Sequence, residues 1–531
     1  MLQTVQSTRG MAVAPHSLAA QAAVSVLREG GNAIEAMIAA ASTIAVVYPH
    51  MNGIGGDGFW TICSPDAPVV AIEACGPAAA QASRDYYGIR GCTSIPMRGP
   101  DSANTVAGTI GGWKEALAIS EGWGGKIPLA RLLEDAIFYA EDGIAVTASQ
   151  RASTVNKLAE LESLPGFAEM FLANGKPPAV GSRFRLPALA RTLRALVEDG
   201  LDSFYRGPLA QRIAAGLKAV GSPVGLDDLA GYRARVRTPL VLQHSLGELY
   251  NMTPPTQGLV SLIILGILDR LDFRRHGPES AEYVHLVVEA TKQAFSVRDR
   301  YITDPDHMEI DPQSCLERPF LDDLAGKIRL DAALPWGKGK GPGDTIWMGV
   351  IDEAGRAVSF IQSIYHEFGS GVLLPETGIN WQNRGCSFSL DQVHLNALRP
   401  GKKPFHTLNP ALARLHDGRT MVYGTMGGDG QPQTQAAIFT RYAVFGQGIQ
   451  QAITAPRWLL GRTWGQESDT LKLESRFSPE TLEALRALGH EVELLGAFDE
   501  LVGHAGGLVR HASGVIEGGF DPRSDGGVAA Y

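Results

Sequence analysis

The sequence predicts an α+β protein in which a helix-rich part comes first and a run of strands follows. Small and apolar residues recur at helical spacing over residues 17–27 and again from residue 33, and a Gly-Gly-Asn stop separates the two runs. After residue 345 the hydrophobic period changes to two, so residues 346–352 and 357–364 form a predicted strand, turn and returning strand. Further helical patterns, separated by glycine and proline, cover residues 129–141, 187–198, 208–219 and 281–301.

Both arms of the predicted hairpin are largely apolar, so we expect other layers of the protein to cover both of its faces. A four-residue turn places position 345 opposite position 364, with an error of at least one residue. Thr345 is therefore expected beside Ser363, Ile364 or Tyr365. The segment that precedes it, KGKGPGD at residues 338–344, has little capacity to pack and is a predicted linker.

Charge and hydropathy exclude two classes of partner. The formal net charge is −9 and no run of five or more Lys or Arg occurs, so the basic surface expected of a nucleic-acid-binding protein is missing. The most apolar stretch, residues 36–47, is about a dozen residues long, whereas a membrane span needs roughly 20. We therefore expect no nucleic-acid partner and no membrane insertion.

The cysteines and the N-terminus predict the compartment. The five cysteines form no CxxC pair and no familiar metal-ligand spacing, and an odd number suits a reducing environment. We find no basic stretch followed by an apolar segment and a cleavage site, which a secretory signal would show. These observations predict a cytoplasmic protein without a metal site.

Residues 53–58, GIGGDG, formally match the G-x-G-x-x-G pattern of dinucleotide-binding proteins. That pattern follows a strand and opens a helix, whereas here it precedes residues 59–62, which form a predicted strand. We interpret the glycines as a turn that enters a strand, and we expect no dinucleotide cofactor.

A threonine hydroxyl is an effective nucleophile when a base removes its proton during attack. Some enzymes make the threonine the first residue of a chain, so that its own α-amine, with an ordinary pKa of about 8, acts as the base. A chain cut between Asp344 and Thr345 has this arrangement. The same hydroxyl can make the cut, because its attack on the Asp344 carbonyl gives an ester that water hydrolyses.

The segment GDTIWMGVIDEAGRAVSF, residues 343–360, resembles the part of γ-glutamyltranspeptidases in which the nucleophilic threonine opens a strand. Thr345 occupies the nucleophile position of that family. Each further landmark is weak alone, but together they are specific and they span essentially the whole chain. They include GIGGDGF at 53–59, FYRG at 204–207, FGSG at 368–371, PFHTLNP at 404–410, GTMGG at 424–428 and DPR at 521–523.

The resemblance implies a four-layer αββα sandwich of the N-terminal-nucleophile type, folded as one intertwined domain. Residues 1–344 would form a large subunit and residues 345–531 a small subunit that starts at the nucleophile, and the two remain associated. A homo-oligomer of such heterodimers is left open. Gly427 and Gly428 match the family's oxyanion glycines, whose N–H groups approach a developing negative charge closely. Ser363 falls where the family carries a hydroxyl residue that hydrogen-bonds the nucleophile.

The expected substrate pocket departs from the family pattern. The family's arginine for the substrate carboxylate is replaced by Glu73 or Ala74. Its paired aspartates for the substrate ammonium are replaced by Arg384 and Gly385, so the ammonium anchor is lost. The short connection over residues 388–404 leaves little room for a lid, which favours hydrolysis over transfer. The resemblance predicts a pocket formed by Tyr365, Gln382, Arg384, His406 and Thr407.

An intact nucleophile and intact oxyanion glycines beside an altered pocket indicate amide hydrolysis with a changed substrate. Family members with such departures include cephalosporin acylases, γ-glutamyl-hydrolase-like proteins and an oxamate amidohydrolase of purine catabolism. A pocket without an ammonium anchor fits a small anionic amide such as oxamate, hydrolysed to oxalate and ammonia through a Thr345 acyl-enzyme. The alternatives are a γ-glutamyl hydrolase or transpeptidase, a cephalosporin-acylase-type enzyme and a non-catalytic binding scaffold. No metal or organic cofactor is implied, since the α-amine supplies the base.

Overall fold

The computed structural model describes residues 2–336, 344–461 and 469–531. Two seven-stranded antiparallel sheets lie face to face, and helices cover the outer face of each sheet. The predicted α+β class and the αββα order of layers are confirmed. The predicted linker, residues 338–344, lies outside the described residues except for Asp344, whose backbone begins a strand.

Most of the described strands are short, and the two arms of the predicted hairpin are the longest of them. In chain order the strands are β1 (Val5–Ser7), β2 (Met11–Ala14), β3 (Asp57–Cys63), β4 (Val70–Ala74), β5 (Ile144–Ala145), β6 (Arg183–Phe184), β7 (Arg235–Arg237), β8 (Leu240–His244), β9 (Gly247–Asn251), β10 (Asp344–Ile351), β11 (Ala357–Tyr365), β12 (Leu373–Leu374), β13 (Ile379–Asn380), β14 (Ala411–Leu415), β15 (Thr420–Thr425), β16 (Trp458–Leu460), β17 (Leu471–Glu474), β18 (Val492–Leu495), β19 (Ala505–Arg510), β20 (Ile516–Phe520) and β21 (Gly527–Ala530).

The described helices concentrate in the part of the chain before Thr345, as the sequence predicts. Residues 129–141, predicted as one helix, form two helices because the backbone at Leu133 interrupts the helical run. In chain order the α-helices are α1 (Ser17–Arg28), α2 (Ala33–Val47), α3 (Arg84–Ile89), α4 (Thr109–Gly122), α5 (Leu129–Leu132), α6 (Glu134–Asp142), α7 (Ala148–Leu161), α8 (Phe167–Phe171), α9 (Pro187–Asp199), α10 (Pro208–Val220), α11 (Leu226–Gly231), α12 (Gly258–Leu268), α13 (Ala281–Tyr301), α14 (Arg318–Gly326), α15 (Gly430–Phe439), α16 (Ile449–Thr454) and α17 (Pro479–Ala487).

Both large sheets combine strands from before and after Thr345. The first sheet has the order β21-β2-β10-β11-β3-β4-β7, and the second has the order β1-β20-β19-β15-β14-β9-β8. In the first sheet β10 lies between β2 and β11, and β11 lies between β10 and β3. The segments on either side of Thr345 are therefore hydrogen-bonded to each other within each sheet.

Alternate residues of β10 face different layers. Ile346 and Met348 pack in the core between the first sheet and helices such as α1 and α2. Trp347 and Ile351 pack in a second core between the two sheets. Other layers thus cover both faces of the hairpin, as predicted. Because side chains alternate along a strand, Thr345 points into the space between the sheets.

The register of the hairpin differs from the predicted register along most of its length. The turn takes five residues instead of four, so Ile351 pairs with Ala357. A shift in the pairing at the other end compensates, and Thr345 there faces both Ser363 and Ile364. Two residues facing one is the pattern of a β-bulge. The bulge gives Thr345 neighbours that the sequence predicted.

The apolar stretch over residues 36–47 forms most of α2, which is buried along its whole length. Among the described residues, no helix combines the length and the apolar character needed to cross a membrane. The five cysteines all carry free thiols.

Packing between the two sheets should be sensitive to a single added methyl group. A Cβ on Gly424, in β15, would lie 2.3 Å from Cδ1 of Trp347, which is too close for the ring to keep its place. We expect Gly424→Ala to destabilise the protein by about 1–3 kcal/mol. A thermal melt followed by fluorescence should show the lower melting temperature.

The matched control is Gly122→Ala at the end of α4, where a Cβ would meet nothing within 4 Å. This variant should melt close to the wild type. Equal melting temperatures for Gly424→Ala and the wild type would contradict the contact between β15 and Trp347.

Candidate active site

Thr345 is completely buried at the start of β10. Its Oγ1 donates a hydrogen bond of 3.2 Å to Ser363 Oγ across the hairpin. The same serine oxygen accepts the N–H of Tyr365 at 2.8 Å. The β-bulge therefore lets one hydroxyl group contact both the expected nucleophile and the end of β11.

Tyr365 holds an uncommon backbone conformation for a residue with a side chain, with φ of 83°. Such a conformation persists where the surrounding structure enforces it, and it is found most often at functional sites. The ring of Tyr365 lies 3.8 Å from the guanidinium carbon of Arg384, in a cation–π contact. Burial raises the pKa of the Tyr365 phenol, so the hydroxyl stays protonated at neutral pH.

Arg384 places a positive charge inside the protein. The residue is 1% exposed, and Nε, Nη1 and Nη2 all lack a hydrogen-bond partner among the described residues. Burial lowers the pKa of the guanidinium from its ordinary value, but arginine remains protonated in proteins. A buried guanidinium without hydrogen-bond partners is costly, and its planar fork matches the two oxygens of a carboxylate. The position therefore suits an anionic ligand.

His406 and Thr407 add polar groups to this region. Within the part of the chain that the structure describes, neither ring nitrogen of His406 has a hydrogen-bond partner, and the Thr407 hydroxyl also has none. Burial, with the charges of Arg384 and Lys403, holds the pKa of His406 well below its ordinary value. The ring is therefore neutral, so one nitrogen donates and the other accepts.

Asp57 belongs to the same cluster, although the sequence analysis did not single it out. Its Oδ1 accepts the N–H groups of Gly76 at 3.2 Å and of Gly108 at 3.0 Å. Its Oδ2 has no hydrogen-bond partner in the described ranges and lies 3.6 Å from Nε2 of His406. Asp57 also pairs with Ser363 across β3 and β11, which places it one strand further from Thr345.

The charge state of Asp57 depends on opposing influences. Burial raises the pKa of its carboxyl group to about 7, while Arg384, Gln382 and the backbone N–H groups act in the opposite direction. A sequence signal for this residue existed, because an acidic side chain among the glycines of residues 53–58 opens a strand that is buried throughout. Interpreting residues 53–58 as a turn explained the glycines but gave no reason for an aspartate at position 57.

Gln382 and Glu73 have different surroundings. Gln382 is completely buried, and its Nε2 donates to the carbonyl of Val106 at 3.0 Å. Its Oε1 has no hydrogen-bond partner among residues that the structure describes. Glu73 is neutralised instead, because its carboxylate lies 2.7 Å from Lys403 Nζ and 3.1 Å from Arg237 Nε. Glu73 is therefore not available as an anchor for a substrate ammonium group.

Gly427 and Gly428 are buried between β15 and α15, with φ of 115° and 53°. Residues with a Cβ rarely adopt such angles, which explains glycine at both positions. Neither glycine N–H donates a hydrogen bond within the described residues. Gln257 connects this turn to the pocket, because its Nε2 donates to the carbonyls of Thr407 at 2.8 Å and Gly428 at 2.7 Å.

A cavity of about 470 Å³ opens beside Tyr365. Arg298, on α13, lines the cavity and forms a buried ion pair of 2.8 Å with Asp429, the residue after Gly428. Much of the 388–404 connection also lines the cavity, so this segment is part of the wall of the site. Thr345 itself is buried in the uncut chain, and the preference for hydrolysis over transfer stays a prediction.

One group of side chains in the described residues has the composition of a metal site. His285, Glu289 and His490 offer ligand atoms within 4.8 Å of one another. These atoms are already engaged, since His285 Nδ1 lies 2.8 Å from His490 Nε2 and Glu289 accepts a hydrogen bond of 2.7 Å from Lys292. The group joins α13 to the chain that follows α17, and we assign it no metal.

Comparison with known proteins identifies the family. The family model described as Gamma-glutamyltranspeptidase matches residues 19–531. The chain is 62% identical to the oxamate amidohydrolase proenzyme of Klebsiella pneumoniae, and the match covers 99% of both chains. It is 41% identical to a glutathione hydrolase-like proenzyme of Bacillus subtilis, again over 99% of each chain.

A solved structure agrees with the sequence relatives. The cephalosporin acylase of Bacillus halodurans superimposes with a TM-score of 0.91 and 32% identity, covering 100% of this chain and 97% of that chain. The superposition spans this chain from end to end, so the two proteins share one fold. From end to end, the chain belongs to the γ-glutamyltranspeptidase family of N-terminal-nucleophile amidohydrolases.

Proposed function

We propose that the protein is a self-cleaving amidohydrolase that converts a small carboxylate-bearing amide, oxamate or a close analogue, to the dicarboxylate and ammonia. The observation that carries the proposal is Arg384, a buried cation without a hydrogen-bond partner in the described chain. A substrate carboxylate would pair with this guanidinium. The proposal is also supported by the name of the Klebsiella relative, an oxamate amidohydrolase proenzyme.

The first step is the cut before the nucleophile. Thr345 Oγ1 attacks the carbonyl carbon of Asp344, the peptide bond is replaced by an ester, and water hydrolyses the ester. Residues 1–344 and 345–531 become separate subunits. Because each large sheet contains strands from both subunits, they remain associated after the cut. The new α-amine of Thr345 is then available as a base.

Amide hydrolysis follows in two stages. The Thr345 hydroxyl attacks the amide carbon while its α-amine takes the proton, and the N–H groups of Gly427 and Gly428 stabilise the oxyanion. The amine returns the proton to the leaving nitrogen, which departs as ammonia. Water, activated by the same amine, then cleaves the acyl ester and releases the dicarboxylate. Ser363 holds the nucleophile through the hydrogen bond seen between the two hydroxyls.

Alternative activities in the family differ in what the substrate brings to the pocket. A γ-glutamyl donor carries an ammonium group, and burying that charge without a partner costs several kcal/mol. Glu73 is occupied by Lys403 and Arg237, so it does not supply that partner. A glutaryl-type substrate of a cephalosporin acylase lacks the ammonium and is the second candidate. Cytoplasmic location, a role in purine catabolism and a homo-oligomer remain predictions.

Self-cleavage should depend on the hydroxyl group of Thr345. Purified wild-type protein should give two fragments on a denaturing gel, and N-terminal sequencing of the smaller one should read Thr-Ile-Trp-Met. Thr345→Val keeps the shape of the side chain but lacks the hydroxyl, so it should remain one chain. Thr345→Ser, the matched control, should still be cut. If the wild type still gave a single band after long incubation, self-cleavage would be wrong and a non-catalytic scaffold would be favoured.

Turnover should depend on the N–H groups of Gly427 and Gly428, which we expect to stabilise the oxyanion. Gly428→Ala strains the turn and moves an oxyanion donor, and loss of one such donor typically lowers kcat by about 10²–10³. Gly446→Ala is the matched control, because Gly446 also has a positive φ, of 73°, and open space around a Cβ. The control should keep wild-type turnover. Equal turnover in both variants would refute the oxyanion role.

Removal of the Arg384 charge should weaken the use of carboxylate substrates. Arg384→Met should lower kcat/KM for oxamate on the order of 10²–10³-fold, because two charge-assisted hydrogen bonds are lost. Oxamide, which has a second amide in place of the carboxylate, should be affected only a few-fold.

A panel of four amides compares the candidate substrates. Ammonia release is measured for oxamate and oxamide, and release of the amine product is measured for a γ-glutamyl anilide and a glutaryl amide. An equal loss on oxamate and oxamide in Arg384→Met would show that the arginine does not bind the carboxylate. Much faster turnover of the γ-glutamyl anilide than of every amino-free amide would replace the proposed function by γ-glutamyl hydrolysis.

A further inference from the structure

Among the buried oxygens that have no role after the substrate carboxylate and the oxyanion have been placed, two lie on neighbouring side chains. They are Asp57 Oδ2 and Gln382 Oε1, and both are buried and lack a hydrogen-bond partner among the described residues. The two side chains are neighbours, because the Gln382 amide acts as a donor towards the Asp57 carboxyl and lowers its pKa, although no hydrogen bond of normal length and angle joins them among the described residues. Asp57 also lies close to Arg384, whose charge acts on the same carboxyl.

The orientation of each acceptor is fixed by its other contacts. Asp57 Oδ1 is held by two backbone N–H groups, so the rotation that would exchange its oxygens would give up both hydrogen bonds. Gln382 Nε2 is held by the Val106 carbonyl, which leaves Oε1 as the open end of the amide. Leaving a buried acceptor unpaired costs about 1–3 kcal/mol. Two such acceptors therefore suit a ligand that brings donors.

We propose that Asp57 and Gln382 recognise the NH₂ group of a primary amide and so select substrates whose leaving group is ammonia. The inference rests on the proposed function and adds the class of amide. A primary amide has two N–H donors, and the pocket offers two acceptors beside the guanidinium that takes the carboxylate. An N-substituted amide replaces one donor by carbon and leaves one acceptor unpaired.

The position of Asp57 in the fold agrees with this role. Thr345, Ser363 and Asp57 lie side by side on β10, β11 and β3 of the first sheet. The oxyanion glycines follow β15 of the second sheet. An amide carbon attacked by Thr345 would therefore have its oxygen directed towards the second sheet and its nitrogen towards β3. Asp57 is then a specificity-determining residue for the leaving nitrogen.

The test compares an amide with an ester in wild type and Asp57→Asn. In this variant Oδ1 still accepts the N–H groups of Gly76 and Gly108, but an NH₂ group replaces Oδ2. Oxamate should lose on the order of 10–100-fold in kcat/KM, because one N–H group of the substrate then meets an NH₂ donor and is left unpaired. The monoethyl ester of oxalic acid has the same carboxylate and carbonyl but no N–H, so its kcat/KM should change by a smaller factor than that of oxamate. Wild type should also prefer oxamate to N-methyloxamate by about 100-fold or more.

The outcomes separate this inference from the proposed function. If the wild type hydrolyses neither oxamate nor the ester, the proposed function itself fails. If oxamate is a substrate but Asp57→Asn slows the amide and the ester equally, or slows neither, amide recognition by Asp57 is wrong. Equal use of oxamate and N-methyloxamate by the wild type also overturns it. Should Asp57→Asn not fold, Gln382→Met removes the second acceptor at similar length, and the same amide-selective loss is expected.

Discussion

The site depends on the burial of one hairpin. The two strands of the hairpin, β10 and β11, are apolar on both faces. The hairpin is therefore stable only when another layer packs on each side, as in the αββα sandwich. Strand alternation then directs Thr345 into the space between the sheets, on the same face as Trp347. The β-bulge opposite Thr345 brings Ser363 within hydrogen-bond distance. A hydroxyl held in a fixed position is what the proposed cut and the proposed acyl transfer both need.

The substrate pocket differs from the core in the polar groups that it buries. The core is built mainly from apolar side chains, whereas the pocket gathers a buried guanidinium, a neutral imidazole and several buried oxygens without hydrogen-bond partners in the described ranges. Each unpaired polar group lowers the stability of the free protein. A ligand with matching groups recovers that free energy on binding, and a ligand that lacks one of them does not. This reasoning supports the proposed substrate, in which a carboxylate lies next to a primary amide.

Much of this architecture could be predicted from the sequence, and the failures have physical causes. Periodicity predicted the helices and the hairpin because these patterns are local, and Arg384 stood out as a departure from the family motif. The register was wrong by one residue since a turn length and a bulge depend on tertiary packing. The neutralisation of Glu73 by Lys403 joins residues far apart in the chain, so no local pattern shows it. Asp57 was missed because its glycine neighbours already had an explanation.

The central claim is that Arg384 binds the substrate carboxylate next to Thr345. The most direct measurement is a crystal structure of the matured protein with oxamate or oxalate bound. The account predicts a carboxylate paired with the Arg384 guanidinium by two hydrogen bonds and the neighbouring carbonyl carbon within reach of Thr345 Oγ1. A ligand whose carboxylate binds elsewhere, with Arg384 paired to a protein group, would contradict the account.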